Sequence, residues 1–317
     1  MKNHWYALTC ATVATLAGCG SSLQAGAPPA TAAKIGGSWM APAAKNTDLL
    51  YISDVGTDRV YAFSYPQGSL VGTLSGFNTP VRECSDTAGN LYVTNTNAEN
   101  ILEYAHGGSS PIATYHDKGF LPTDCSVDPA SGSLAAANYG PKGTNRGNLA
   151  IFSGGKTTPK FYEDPSVRAY LFCGYDGSGN LFVDGLNDTY GRVFIELRKG
   201  AKKFEHIKLD QSFSGWGGVK WDGKYIAMSD GASTIFDFDV AGTKTKLVRT
   251  IRLKRAVNVV GFWIDASTLI GPDGPDGGHN DAGFWNYPEG RAPQKTIGSG
   301  LFKNPSAATI SRAKQRL

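Results

Sequence analysis

From about residue 46 onward, the chain alternates short apolar segments with turns rich in Asp, Gly, Asn and Pro. Within several segments the side chains change character at every second position: Arg59-Val60-Tyr61-Ala62-Phe63, Asn148-Leu149-Ala150-Ile151-Phe152, Arg192-Val193-Phe194-Ile195-Glu196 and Thr234-Ile235-Phe236-Asp237-Phe238. A period of two predicts strands, since successive side chains of an extended chain point to opposite faces. The segments recur in a fixed order: a Pro or small residue, an apolar strand, an Asp-containing turn, then Leu-aromatic-Val and a polar end. The fullest copy runs from Asn78-Thr79-Pro80 through Asp86 and Gly89-Asn90-Leu91-Tyr92-Val93-Thr94-Asn95 to Ile101-Leu102-Glu103-Tyr104. Turn aspartates Asp86, Asp128, Asp176, Asp222 and Asp265 follow one another at intervals of 42, 48, 46 and 43 residues. Such a period suits propeller blades of four strands each.

The two ends of this region are complementary fragments. Leu50-Tyr51-Ile52-Ser53-Asp54 begins a copy that lacks an inner strand, and Asn304-Pro305-Ser306-Ala307-Ala308-Thr309-Ile310-Ser311 is an inner strand with nothing after it. Joined, they complete a sixth blade and remove the free sheet edges that an open array would leave. The fold predicted for residues 46–311 is therefore an all-β, six-bladed propeller of four-stranded blades, closed by N- and C-terminal strands that share one blade. A basic tail, 312–317, follows.

Composition agrees: 40 Gly and 16 Pro do not suit a helical protein, and 14 Tyr, 15 Phe and 6 Trp suit half-buried strands. The net charge of +4, or +3 once Lys2 is removed with the leader, is scattered and argues against a nucleic-acid partner. At the N-terminus, Lys2 and the apolar run Trp5 to Leu16 have the form of a signal segment too short to span a bilayer. The run ends in Leu16-Ala17-Gly18-Cys19, which resembles a bacterial lipobox. That resemblance implies that residues 1–19 are a lipoprotein signal, with Cys19 the lipidated residue. Because Gly20 stands where Asp would favour inner-membrane retention, it also implies the outer membrane or cell surface. Residues 20–45, rich in Ala, Pro, Gly and Ser, read as a flexible tether.

The stretch Tyr51-Ile52-Ser53-Asp54-Val55-Gly56-Thr57-Asp58-Arg59-Val60-Tyr61-Ala62-Phe63 resembles an NHL repeat, with an aromatic-Val type strand, an Asp, a short turn and an Arg-Val-aromatic strand. As architecture, the likeness to NHL and SMP-30 propellers extends from Asn46 to Ser311. SMP-30-like lactonases hold one metal through a Glu, an Asn and Asp residues. Here the Glu has no counterpart, and Asn138 with Asp184 or Asp230 are the positions that the resemblance carries over.

Several residues are candidates for function, each with a structural reading beside it. The ends of the second strands place Asp54, Asn95, Asn138, Asp184, Asp230 and Asp273 at matching heights, either around a channel mouth that could bind Ca²⁺ or as organisers of the loop that follows. The loop Gly271 to Asp281 carries Asp273, Asp276, His279 and Asp281, a possible calcium loop or a solvated insertion. It shares a face with the long loop Tyr139 to Asn148 and with Trp216, and that face is the predicted ligand surface. Cys84, Cys125 and Cys173 lie on consecutive inner strands and could be buried core residues, one interblade disulfide plus a free thiol, or a thiolate metal site. No histidine of the mature chain accompanies a nucleophile motif, and no Gly-x-Ser-x-Gly occurs. The expected function is accordingly that of a monomeric, noncatalytic module for a protein, peptide or glycan. It would need no cofactor, with Ca²⁺ the one candidate ion, and would meet the membrane only through its lipid. The alternative is an SMP-30-like, metal-dependent hydrolase or lyase.

Overall fold

A computed structural model describes residues 37–141, 146–213, 215–274 and 277–314. The leader, Cys19 and Asp276 lie outside the described residues. Six antiparallel sheets form a propeller, their inner strands being Pro80–Ser85, Leu121–Val127, Ala169–Tyr175, Val219–Trp221, Trp263–Asp265 and Pro305–Ser311. The last of these closes the ring by pairing with Leu49–Asp54, from Leu49 opposite Ser311 to Asp54 opposite Pro305.

The core is divided among six seams between neighbouring blades, which explains why inner and second strands are apolar at consecutive positions. Every residue of Leu49–Asp54 is buried. Its odd members, Leu49 and Tyr51, pack with Leu91, Val93 and Tyr104 of the second blade. Its even members, Leu50 and Ile52, pack with Ile270 and Phe284 of the sixth. A strand covered on both faces shows no apolar-polar alternation, so period alone could not fix its orientation. In the fifth-to-sixth seam the fully buried Trp285 sits among Leu253, Val259 and Phe262, its indole N–H donating to the Lys254 carbonyl at 3.2 Å.

Two boundaries differ from expectation. Trp39–Met40, within the segment read as tether, is a short strand opposite Thr73 and Gly72, and makes the shared blade five-stranded. Its outer edge offered unpaired backbone groups, and the extra strand covers part of them. At the other end, Arg312 belongs to the ring and not to a free tail. It pairs with Asp48 at 2.6 Å and with Asp265, while the Ala313 amide donates to Asp48 at 2.8 Å. His106 helps to hold the closing strand, its ring contacting Ser311 Oγ at 2.6 Å and the Thr47 carbonyl at 3.1 Å.

The cysteines take the second of the three arrangements open to them. Cys84 and Cys125 form a disulfide between the inner strands of blades two and three, with Cα atoms 5.7 Å apart, while Cys173 is a buried free thiol. Closing a loop with a sequence separation of 41 restricts the unfolded chain by about 4 kcal/mol in the chain-entropy account. Burial pushes the Cys173 thiol well up, so it stays protonated and unreactive, as a small core residue would.

Candidate functional site

Strands alternate in direction, so the ends of second strands and the starts of inner strands lie on one face of the ring, and the Asp turns that join inner to second strands lie on the other. The first face carries the residues expected to form a ligand ring, and the structure gives each of them a separate local task. Asp54 is fully buried and accepts the amides of Gly56, Lys303 and Asn304 at 2.7–2.9 Å, tying the closing strand to its neighbour. Asn95 accepts the Asn78 amide at 2.6 Å, and Asn138 donates to Asn148 at 2.7 Å. Asp230 accepts the amides of Ala232 and Thr234 at 2.8 and 3.0 Å. Asp184, pushed up to about 7 by burial against the favourable field of Arg192, faces that guanidinium at 3.2 Å. Arg192 in turn lies 3.9 Å from the Phe213 ring and donates to the Gly215 carbonyl, which fixes the connection leading to Trp216. Asp54, Asn95 and Asp230 thus organise loops, while Asn138 meets the Asn148 side chain and Asp184 the Arg192 guanidinium.

Two acids of the candidate calcium loop, Asp273 and Asp281, are likewise engaged. Asp273 accepts the amides of Val257 and Asn258 at 2.9 and 2.7 Å and meets His279 Nδ1 at 2.5 Å. Burial raises its pKa, but these partners outweigh burial and hold it below the usual range. Asp281 is gripped by both terminal nitrogens of Arg255, at 3.1 and 2.6 Å. Among the described residues no group of three or more His, Cys, Asp or Glu side chains is arranged to hold a metal ion. Trp216 is 38 % exposed, and Tyr139 is half-buried at the edge of the long loop.

On the opposite face, where the Asp turns lie, the ring axis opens into a funnel of about 330 Å³. That volume lies within the range of small-molecule sites. The wall follows a simple register. Two residues before the turn position, blades two to six and the closing strand present Cys84, Ser126, Gly174, Lys220, Trp263 and Ile310, all of which line the funnel. Four residues before it stand Arg82, Asp124, Phe172, Gly218, Gly261 and Ala308. All of these except Phe172 border a void of about 10 Å³ below, at the lower limit for one water. Phe172 instead lies under the Arg82 guanidinium, whose Cζ is 4.3 Å from the ring centroid. Small residues in half of this lower tier let the strands approach and nearly close the channel, so the funnel has a floor.

Charge is concentrated at that floor. Arg82 donates to the Thr123 carbonyl at 2.7 Å, and Asp124 accepts the Cys173 amide at 3.1 Å. Beside them Glu83 is buried with one oxygen accepting the Ser53 amide at 3.3 Å and the other without a partner. Burial pushes its pKa up to about 8, opposed by Ser53 and by Lys220. Lys220 borders both the void and the funnel, with its ammonium over the Trp263 ring at 5.8 Å. Tyr175 and Trp221, each next to its turn aspartate, are half-buried on the wall above. None of Lys220, Trp221, Trp263 or Tyr175 was among the sequence candidates.

No protein-family model matches the chain, and no curated protein does. Among solved structures, a chain in the crystal structure of a nidogen/laminin complex is 11 % identical with a TM-score of 0.68, over 84 % of this chain and all of that one. A protein of unknown function from Bacteroides caccae is 10 % identical with a TM-score of 0.62, over 84 % and 99 % of the two chains. At such identities the likeness is one of fold, and the class it supports is the six-bladed β-propeller.

Proposed function

We propose that this chain is an exported, lipid-anchored propeller of the NHL and SMP-30 kind, and that it acts as a noncatalytic binding module whose ligand enters the axial funnel. The observation that carries the binding reading is the funnel itself, a floored, aromatic-lined cavity to which all six blades contribute. Its position differs from the loop face that the sequence favoured. On the loop face Asp54, Asn95, Asp230 and Asp273 accept backbone amides and Asp184 and Asp281 face arginines, and on the funnel face two indoles and a tyrosine are left partly open. Aromatic walls of this sort suit peptide or glycan recognition, because one ring supplies apolar area and the polar rim sets orientation. The structure alike in fold that comes from a nidogen/laminin complex is a further argument for a binding role. Metal-dependent hydrolysis is the weaker alternative, since Asp184, Asp230 and Asp273 already hold an arginine, loop amides or a histidine. Export is supported by the lipobox-like Leu16-Ala17-Gly18-Cys19 and by the Cys84–Cys125 disulfide, which suits an oxidising compartment.

The test is tryptophan fluorescence of the protein titrated with panels of peptides and oligosaccharides. Trp263→Ala should weaken any hit by about tenfold or more, as loss of a central aromatic anchor does, and Trp216→Ala on the opposite face should leave it unchanged. The reverse pattern would move binding to the loop face and overturn the funnel assignment.

A further inference from the structure

In the tier of the funnel wall that holds Cys84, Ser126, Gly174, Trp263 and Ile310, Lys220 is the one charged side chain. Its field reaches Glu83 in the floor, and the carboxylates nearby have other partners. In the floor, Arg82 and Asp124 are of opposite sign and offset each other. Glu83 beside them, raised by burial to about 8, is largely uncharged at neutral pH. The rim acids have their own donors. Asp86 accepts the Asn90 amide at 2.7 Å, the Asn90 side chain at 3.0 Å and the Tyr92 hydroxyl at 3.2 Å. Asp176 accepts the amides of Ser178 and Asn180, each at 2.8 Å, and the Asn180 side chain at 2.9 Å. Asp265 accepts the Tyr65 hydroxyl at 2.7 Å and pairs with Arg312. What stands uncommitted at the axis is one ammonium against an indole face.

We infer that the funnel binds an acidic sugar, a ring carrying one carboxylate and several hydroxyls, with the carboxylate on Lys220 and the ring laid against Trp263 and Trp221. The inference rests on the binding reading above and narrows it to a ligand class. A neutral ligand that covered Lys220 would strip water from an ammonium and return nothing, whereas a carboxylate restores a charge-assisted bond in a partly dry site. Asp86 and Asp176 at the mouth keep their charge and repel any anion, so only a carboxylate that reaches Lys220 recovers that cost, and a polyanion, with one ammonium to meet, fits badly. The same carboxylates keep spare lone pairs, and sugar hydroxyls are the donors that can use them. Tyr175 and the two indoles offer the flat apolar area that a sugar's ring face needs.

The experiment uses the full chain with three probes at pH 7: methyl galactopyranosiduronate (one ring, one carboxylate), the methyl ester of that acid, and a short peptide ending in a free carboxylate. Binding is read by tryptophan fluorescence and calorimetry. The acid should bind at least about tenfold more tightly than the ester, the difference expected of one hydrogen bond to a charged group. Lys220→Gln should abolish that preference and Lys220→Arg should keep part of it. Lys224→Gln, which removes the same charge from an exposed turn residue outside the funnel wall, should leave it intact, with thermal melts showing that all three variants fold. Equal affinity for acid and ester, no binding of the acid, or a preference that survives in Lys220→Gln would each overturn the inference. If the peptide alone binds in a Lys220-dependent way, the sugar assignment falls and the binding module stands. If no probe or panel compound perturbs the tryptophans, both fall.

Discussion

Residues at the axis show how the ring sets chemistry that no local segment specifies. Glu83 belongs to an unremarkable strand, Pro80–Ser85, yet its carboxyl ends up buried beside Ser53, Arg82, Asp124 and Lys220. Its pKa of about 8 in the folded protein lies above the ordinary carboxylate value, so between roughly pH 4.5 and 8 the folded state binds a proton that the unfolded state has released. Stability therefore falls as pH rises through this window. Glu83→Gln removes the titration and should make the protein more stable than the parent by roughly 2–4 kcal/mol at pH 9, with little difference at pH 5. Denaturant unfolding at the two pH values checks this, and parallel curves for parent and variant would refute it. Asp117 and Asp184, each raised by burial to about 7, contribute slopes of the same sign and will leave a residual pH dependence in the variant. The funnel residues were legible in principle. Counting two positions back from each turn aspartate lands on Lys220 and Trp263, and the same count lands on Cys84. What the sequence did not say is that this position, and not the end of the second strand, looks into a cavity.

At the scale of strands, the turns were the most readable part. Asp86 and Asp176 accept amides of their own turns, and Gly89 and Gly179 adopt φ of +85°, as Asp-x-x-Gly-Asn hairpins require. Gly89 is doubly constrained, since a Cβ there would lie 2.3 Å from the Arg312 carbonyl oxygen of the closing strand. That strand matters most to the fold. It pairs along the whole of Leu49–Asp54, its Ser311 hydroxyl bonds the Gly89 carbonyl at 2.5 Å, and Ala308 and Ile310 fill the last seam. Deleting 304–317 should therefore abolish the cooperative thermal transition, as it opens a seam and exposes the inner edge of the shared blade. Among the described residues, deleting 1–40 removes the two-residue edge strand with its Met40 packing and the Ser38–Ser75 hydrogen bonds, and should move the midpoint by about a few degrees. A C-terminal truncation that melts like the parent would show that the ring does not depend on closure. The Trp39–Met40 strand itself escaped the sequence reading, because two residues show no period and their pairing with Gly72 and Thr73 is remote in the chain.

For the whole molecule, the leader and the ring answer different questions. The predicted lipid anchor at Cys19 concerns where the ring is held, and Cys19→Ser tests it. The variant should leave the membrane fraction and lose incorporation of labelled palmitate, and unchanged fractionation would remove the anchor from the proposal. The ring shape decides where a ligand can go. Inner strands with Gly218, Gly261 and Ala308 come close enough to shut the channel to about 10 Å³ at one level, while Trp263, Lys220 and Ile310 stand apart at the next and leave about 330 Å³. The funnel thus exists through the difference between two tiers only a turn of the pleat apart.

The sequence by itself determined the number of blades, their turns and the complementarity of the two ends. Those rest on local chemistry: period-two strands, Asp and Gly at hairpins, and a repeat length that fits one sheet at a time. The tertiary structure alone decided which two cysteines join, that Asp54, Asn95, Asp230 and Asp273 hold loop amides while Asn138 and Asp184 meet Asn148 and Arg192, and that the axial opening lies on the other face. Those depend on which side of a strand meets the axis and which meets a neighbouring blade. A strand buried on both sides carries no sign of that choice in its sequence.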